Sequence, residues 1–586
     1  MSRRFSRLVL ISLLLAVGWG EAYPQAKRSS QSTGQAAFER GQEALRQGDL
    51  ARAQEEFEKA VRLAPENALA QGALGWVLAQ EGQAEAAIGH LRLALKTKPS
   101  YVEARLTLAG VLGQQGKAAE AEQEARRAVT DAPANAEAHR TLARILAQRP
   151  GDEALAEMRR AAELAPARAD LADELGTILA QRNQLAEAAQ AFQEAIRLQP
   201  GLASAHFHLG AARLQQGQFE EAADELRHAV TANPQDAAAH YYLAKALTAQ
   251  SNSAGALEEL KKSAALKPDW YELQVELGIA AQRAGDIDTA IAAFERALKL
   301  NPQDAEVYND LGLALVQKGD AAGSIPQFQK AVQLRADDGT LRGNLAIAYI
   351  QLANFDAAVN ELQAALKLAP QNASLHYNLG LAFKLKDQLD KAVPEFQEAI
   401  RLQPDLADAH YTLGILYWQS GEFEKATSEL QSALRSRPDY AEAHYTLGTV
   451  YKQQGKLPEA AAELREAIRL QPDFAGAHTT LAGVLRQLGD SQGASEEAKA
   501  GAAIVASTNS LQAAKVATNS GKRLLGAGDV DGAISQFRSA ISSEPNYAAA
   551  HYQLGLALQQ SGKRDESQKE FQRAAELDPH LMVPGK

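Results

Sequence analysis

Eight histidines, His139, His206, His240, His376, His410, His444, His478 and His551, recur at one offset of a repeating pattern. Zinc needs its ligands about 2.1 Å from a single ion, whereas equivalent points on stacked helical repeats lie about 10 Å apart. The row therefore cannot share a metal. Its place on an apolar stripe beside Leu and Gly predicts packing and hydrogen bonding between helices, with a pH response as the second expectation, since imidazole titrates near neutrality. Asp529-Val530-Asp531-Gly532 and Asp286-Ile287-Asp288 resemble pieces of calcium loops, but the twelve-residue ligand pattern is not completed and Asp in a turn caps a helix. Gly526-Ala527-Gly528 follows no strand and is a poor nucleotide loop. The chain has no cysteine, no H-E-x-x-H, no G-x-S-x-G and no Walker loop. Neither metal, cofactor nor catalytic activity is expected.

A second row carries binding chemistry. Tyr377, Tyr411 and Tyr445 each follow a histidine of the row, and the next offset holds Asn344, Asn378, Thr412 and Thr446. Trp418 lies further along the same segment, and Gln317, Gln351 and Gln453 form a ladder beside it. Aromatic faces with amides and hydroxyls can clasp an extended peptide, the amides pairing with its backbone. The same surface can stack on sugars. The competing expectation is that the tyrosines brace neighbouring repeats.

The elements that position these rows are measured out by prolines. Pro65, Pro99, Pro133, Pro166, Pro200, Pro234, Pro268, Pro302, Pro370, Pro404, Pro438, Pro472, Pro545 and Pro579 are spaced by 34 residues or a multiple at nearly every step. Ala336 replaces one proline, the step from Pro133 to Pro166 is one residue short, and that from Pro472 to Pro545 holds two repeats plus five residues. In the repeat 405–438, His410, Leu413, Gly414 and Tyr417 form one helical stripe, and Ala426, Leu430 and Ala433 another. Each repeat is therefore two helices of about 12 to 14 residues. Gly421, Gly455, Gly489 and Gly562 sit where the first helix must stop. The closing proline ends the second, and Asp405 or Asp439 suits the next N-cap. Small residues mark where helices cross, as at Gly75, Gly210, Gly312, Gly414 and Gly555, and again at Ala60, Ala229, Ala399 and Ala574. Phe192, Phe294, Phe396 and Phe571 fill the gaps between them.

This pattern of Leu-Gly, Ala, Phe, Ala and Pro over 34 residues closely resembles the tetratricopeptide repeat (TPR) family. The resemblance covers residues 32–579. It implies an all-α, right-handed superhelical solenoid of about sixteen helix-turn-helix repeats, whose first helices line a concave groove that binds peptide or protein segments. Peptide clamps of the chaperone-binding subfamily carry Lys or Arg at the Tyr411 offset and Asn at the Ile415 offset, so capture of a C-terminal carboxylate is not supported. The Asn344 and Asn378 offset resembles the asparagine ladder of repeat arrays attached to sugar-transferring enzymes, but the ladder is short and no transferase follows.

Domain boundaries follow from the ruler. Residues 1–22 read as a signal peptide, with basic Arg3, Arg4 and Arg7, an apolar run Leu8 to Val17, and cleavage after Ala22 or Ala26. An uncleaved signal acting as an inner-membrane anchor is the alternative. Residues 23–33 are a polar linker. Fourteen repeats occupy 32–506 (32–65, 66–99, 100–133, 134–166, 167–200, 201–234, 235–268, 269–302, 303–336, 337–370, 371–404, 405–438, 439–472 and 473–506). A break or hinge is expected at 507–511, then two repeats, 512–545 and 546–579, and a tail, 580–586. The final helix is expected to lack a polar cap, leaving an apolar face for self-association. No later segment is apolar enough to span a membrane. The formal charge of -11 becomes -13 once Arg3, Arg4, Arg7 and Glu21 are removed, which disfavours nucleic acid. The expectation is an exported, non-catalytic interaction scaffold of the periplasm or cell exterior that binds protein or peptide segments in its groove. A carbohydrate-handling or polysaccharide-export accessory subunit that binds glycans is the alternative.

Overall fold

The computed structural model describes residues 25–581 apart from 148 and 150, so the expected signal and its cleavage sites at Ala22 lie outside the described residues. The described chain is an all-α helical repeat solenoid in which consecutive helices pair antiparallel. It divides after Pro302 into two compact units, each a run of stacked helix pairs.

Helix boundaries follow local chemistry. First helices such as Ala407–Gln419 have 13 residues and second helices such as Phe423–Ser436 have 14. Counting from the residue after the closing position, the N-cap is the second residue of the repeat, one later than Asp405 or Asp439. Asn67, Asp236, Asp338 and Asn372 fill it, and each side chain accepts two backbone N–H groups. Leu406 and Tyr440 occupy it without a side-chain cap. Between the helices the backbone turns left-handed, with φ of 79° at Gly421, 76° at Gly455, 88° at Gly489 and 81° at Gly562. Ala353 holds the same place at φ 56°, where an L side chain is strained by about 1 kcal/mol. Ala353→Gly is therefore expected to raise the stability of its repeat by up to about 1 kcal/mol, the gain being trimmed by glycine's extra entropy when unfolded. A urea midpoint at or below that of the parent would contradict this.

Three boundaries differ from expectation. The polar stretch expected as a linker enters a helix at Gln25, which runs to Arg46. The expected break at 507–511 lies inside one continuous helix, Ser491–Gly526, of 36 residues. Ala506 stands where other repeats place proline, and Ser507 to Leu511 contain neither Pro nor Gly, so nothing halts the i to i+4 ladder. That helix serves as the second helix of repeat fourteen and the first of repeat fifteen. The last helix, Arg564–Leu577, is its own polar cap: Arg564, Asp565, Glu566, Lys569 and Arg573 are exposed, while Ser567, Phe571 and Ala574 face inward. Among the described residues the outward positions of this helix therefore carry charge rather than the apolar face expected for self-association.

Within each unit the core is a column of small and large residues in register. Phe57, Phe192, Phe294, Phe328, Phe396 and Phe537 are fully buried, each against a glycine of the paired helix. A Cβ added at Gly312 would lie 2.6 Å from the Phe328 ring, and one at Gly176 2.5 Å from Phe192.

Candidate binding face

The histidine row is a latch in each repeat that carries it. In repeat twelve His410 Nδ1 lies 2.6 Å from Glu429 Oε2 on the second helix, and Nε2 lies 3.1 Å from the Pro404 carbonyl that closes the preceding repeat. The pairing recurs at His206 with Glu225, His240 with Glu259, His376 with Glu395, His444 with Glu463, His478 with Glu497 and His551 with Glu570. His139 reaches Glu157 in the short repeat. Arg105 with Glu124 and Arg342 with Glu361 make the same bridge with a guanidinium. Both imidazole nitrogens are thus committed to protein oxygens. Glu429 holds His410 above the ordinary imidazole range. At His444 burial works downward, but Glu463 and the Pro438 carbonyl outweigh it.

The tyrosine row is a set of rungs between repeats. The seventh residue of one repeat meets the eighth of the next. Tyr241 donates to Glu276 at 2.7 Å, Asp173 Oδ1 lies 2.7 Å from His208 Nδ1, and Asn344 donates to Asn309 at 2.7 Å. The Tyr377 hydroxyl lies beside Thr412 and that of Tyr411 beside Thr446, while Thr446 donates to the Glu442 carbonyl at 2.7 Å. Burial pushes the Tyr377 and Tyr411 hydroxyls up. Ring faces are also engaged: Tyr377 with Phe396 at 5.7 Å, Tyr411 with Tyr440 at 4.7 Å and Tyr445 with Phe474 at 4.8 Å. Thr412 and Thr446, expected in the groove, are buried, 6% and 4% exposed. Tyr377, Tyr411 and Tyr445 are half-buried braces, and Asn344 spends its amide on Asn309. This ladder from seventh to eighth residue was not anticipated from sequence. Co-occurrence of Tyr at one offset with Thr 35 residues later was its only trace.

What remains open lies beside the rungs. In repeats five to seven a depression of about 520 Å³ is lined by Thr177, His208, Leu214, Gln215, Tyr242 and Lys245, among others. These residues come from three successive first helices, Ala169–Gln181, Ala203–Gln215 and Ala237–Ala249, at positions 8, 11, 14 and 15 of their repeats. Those positions therefore share one face. In repeats ten to thirteen they hold Asn378, Ile347, Leu381, Ile415, Lys384 and Trp418, none of them buried. Trp418 Nε1 donates to Gln453 at 2.7 Å on the next first helix and keeps its ring partly exposed. Asn378 makes no hydrogen bond among the described residues.

The tetratricopeptide repeat pattern matches residues 38–102, 205–269, 275–339, 344–407, 411–473 and 445–507, and related patterns of the family match 78–145, 176–217 and 524–580. The chain belongs to the tetratricopeptide repeat family. Among solved structures, this TPR chain is similar to yeast Tom70 at 18% identity, over 78% of this chain and 96% of that one, with a TM-score of 0.36. It is also similar to Cut9 in the APC/C Cut9–Hcn1 assembly, at 15% identity over 78% and 98%, with a TM-score of 0.35. YrrB, described as a TPR protein with an unusual peptide-binding site, is 25% identical over 32% and 95%, with a TM-score of 0.27. No curated protein is matched. TPR arrays are interaction scaffolds. Among the described residues no helix is long and apolar enough to cross a membrane.

Proposed function

We propose that this TPR protein is a non-catalytic scaffold of the cell envelope that holds extended peptide or protein segments on the inner face of its first helices. The observation that carries the reading is the division of labour along those helices. Position 6 serves the latch where it holds His or Arg, and positions 7 and 8 carry the rungs, as at Tyr241 with Glu276 and Asn309 with Asn344. Positions 11 and 14, which help line the depression of repeats five to seven, leave Ile347, Leu381, Ile415 and Trp418 at least partly exposed in successive repeats. An extended chain advances about 3.3 Å per residue, so repeats stacked about 10 Å apart offer one contact for every third residue of a segment lying along them. The basic start and short apolar run of residues 3–17 support export.

The test is photo-crosslinking from position 415 of the full chain in its native host, followed by identification of the captured protein. The triple variant Ile347→Ser, Ile415→Ser, Trp418→Ala should lose the crosslinked species while remaining folded, because Ile347 and Ile415 stand outside the core and Trp418 only flanks it; Ile347→Ser, Ile415→Ser alone should keep the parent melting temperature. Undiminished capture by the triple variant would overturn the assignment of the inner face.

A further inference from the structure

The chain is acidic overall, with a formal charge of -11, and part of its surface cations are spent on neighbouring carboxylates, as in Arg401 with Glu398, Arg437 with Asp408 and Arg469 with Glu466. Position 14 of the first helices in repeats eleven to fourteen sets cations among apolar side chains of the inner face. It holds Lys384, Trp418, Lys452 and Arg486 in succession, whereas repeats five and six place Ala180 and Leu214 there. None of the three cations makes an ion pair or hydrogen bond among the described residues. Lys384 is half-buried, and burial pulls its ammonium below the ordinary lysine range with no carboxylate to restore it. Lys452 reaches across to the next repeat, its Nζ lying 3.5 Å from where a Cβ of Gly483 would be. Gly483 is at position 11, so the ammonium lies over the inner face. Trp418 fixes the same row through its bond to Gln453.

An unpaired, partly desolvated cation is costly unless something supplies its counter-charge. Lys384 and Lys452 are half-buried and Arg486 is exposed; together, at one position of a four-repeat stretch flanked by Leu381 and Ile415, they describe a surface complementary to a ligand with both carboxylates and apolar side chains. We propose that the inner face of repeats eleven to fourteen binds an extended acidic peptide segment, its carboxylates meeting Lys384, Lys452 and Arg486 and its apolar side chains meeting Leu381, Ile415 and Trp418. This deepens the scaffold reading and rests on it. Lys452 and Arg486 are one repeat apart and Lys384 and Lys452 two, so the matching carboxylates are about three and six residues apart in the segment. A nucleic acid is the disfavoured polyanion, because the cations alternate with apolar side chains and the rest of the chain is acidic.

The probe is a fluorescein-labelled peptide of four Glu-Leu-Thr triplets, titrated against the full chain and followed by anisotropy. Versions with Gln or Lys in place of Glu, and a twelve-residue thymidine strand, are run beside it. The Glu peptide is expected to bind about tenfold more tightly than the Gln peptide, to weaken with added salt, and to lose about tenfold on K384Q/K452Q/R486Q. The control K425Q, on a second helix, should leave binding unchanged. Melting temperatures of both variants verify folding. Equal binding of the Glu peptide by the triple variant, no binding of it at all, or preference for the thymidine strand would overturn the proposal. If the Glu and Gln peptides bind equally and both are lost on I347S/I415S/W418A, the charge row fails while the scaffold reading stands. If that apolar variant also changes nothing, both fail.

Discussion

Gly312→Ala should lower the stability of its repeat by about 1–3 kcal/mol, although a single methyl is added and alanine favours helix. The added Cβ would fall 2.6 Å from the Phe328 ring, which is fully buried and cannot retreat without moving the paired helix. The repeats themselves argue the point. Phe57, Phe192, Phe294, Phe328, Phe396, Phe537 and Phe571 all face glycine, at Gly41, Gly176, Gly278, Gly312, Gly380, Gly521 and Gly555. Where alanine takes the glycine's place, as at Ala143, Ala244 and Ala346, the facing residue is Met158, Leu260 or Leu362. Phe328→Leu in the Gly312→Ala background is therefore expected to recover part of the loss. Hydrogen exchange over Ala305–Gln317 and Ala321–Leu334 reads the effect locally, which matters because solenoid repeats need not unfold together. Unchanged protection in Gly312→Ala, or no recovery in the double variant, would contradict the packing account.

His410→Ala should cost about 1–3 kcal/mol, since it strands the Glu429 carboxylate and the Pro404 carbonyl that the imidazole bridges. The latch also carries a pH signature. His410 and His444 both bind their proton more tightly in the folded chain, so the protonated pair stabilises the fold fully below the unfolded imidazole value of about 6.5. That contribution fades as pH rises through the elevated native values. Between pH 6 and pH 8 the parent chain should lose more stability than H410Q/H444Q, in which glutamine keeps a donor but cannot titrate. Identical pH slopes of the urea midpoints would remove the charged latch. Gln274 shows the cost of an incomplete one: it donates to the Pro268 carbonyl, but Ala293 stands where the glutamate would be, and its buried Oε1 has no partner.

The features legible in the sequence were those set within one repeat. The proline ruler, the left-handed glycines and the small residues at crossings depend on neighbours a few positions away or in the paired helix, and the structure places all three as expected. The 507–511 stretch misled because an insertion in register suggests a loop. The local residues hold neither Pro nor Gly, so the helical ladder runs through them despite their modest propensity. The last helix misled similarly: its charged outward positions were visible as residues, but their direction depends on how it packs.

The candidate site was half legible. Tyr377, Tyr411, Tyr445, Thr412, Thr446 and Asn344 do lie along the first helices, and Trp418 and Asn378 keep partly exposed side chains there. Which polar groups remain free is decided between repeats, where Tyr411 meets a threonine 35 residues away and a ring from Tyr440. Sequence alone determined the repeat, its helices and its turns, because periodic burial and backbone sterics act over short separations. Only tertiary structure decided which inner residues brace the array and which are left for a ligand. Stacked helices approach to about 10 Å, so a side chain's partner there is a residue a full repeat away, and whether it leaves a polar group satisfied is a matter of packing.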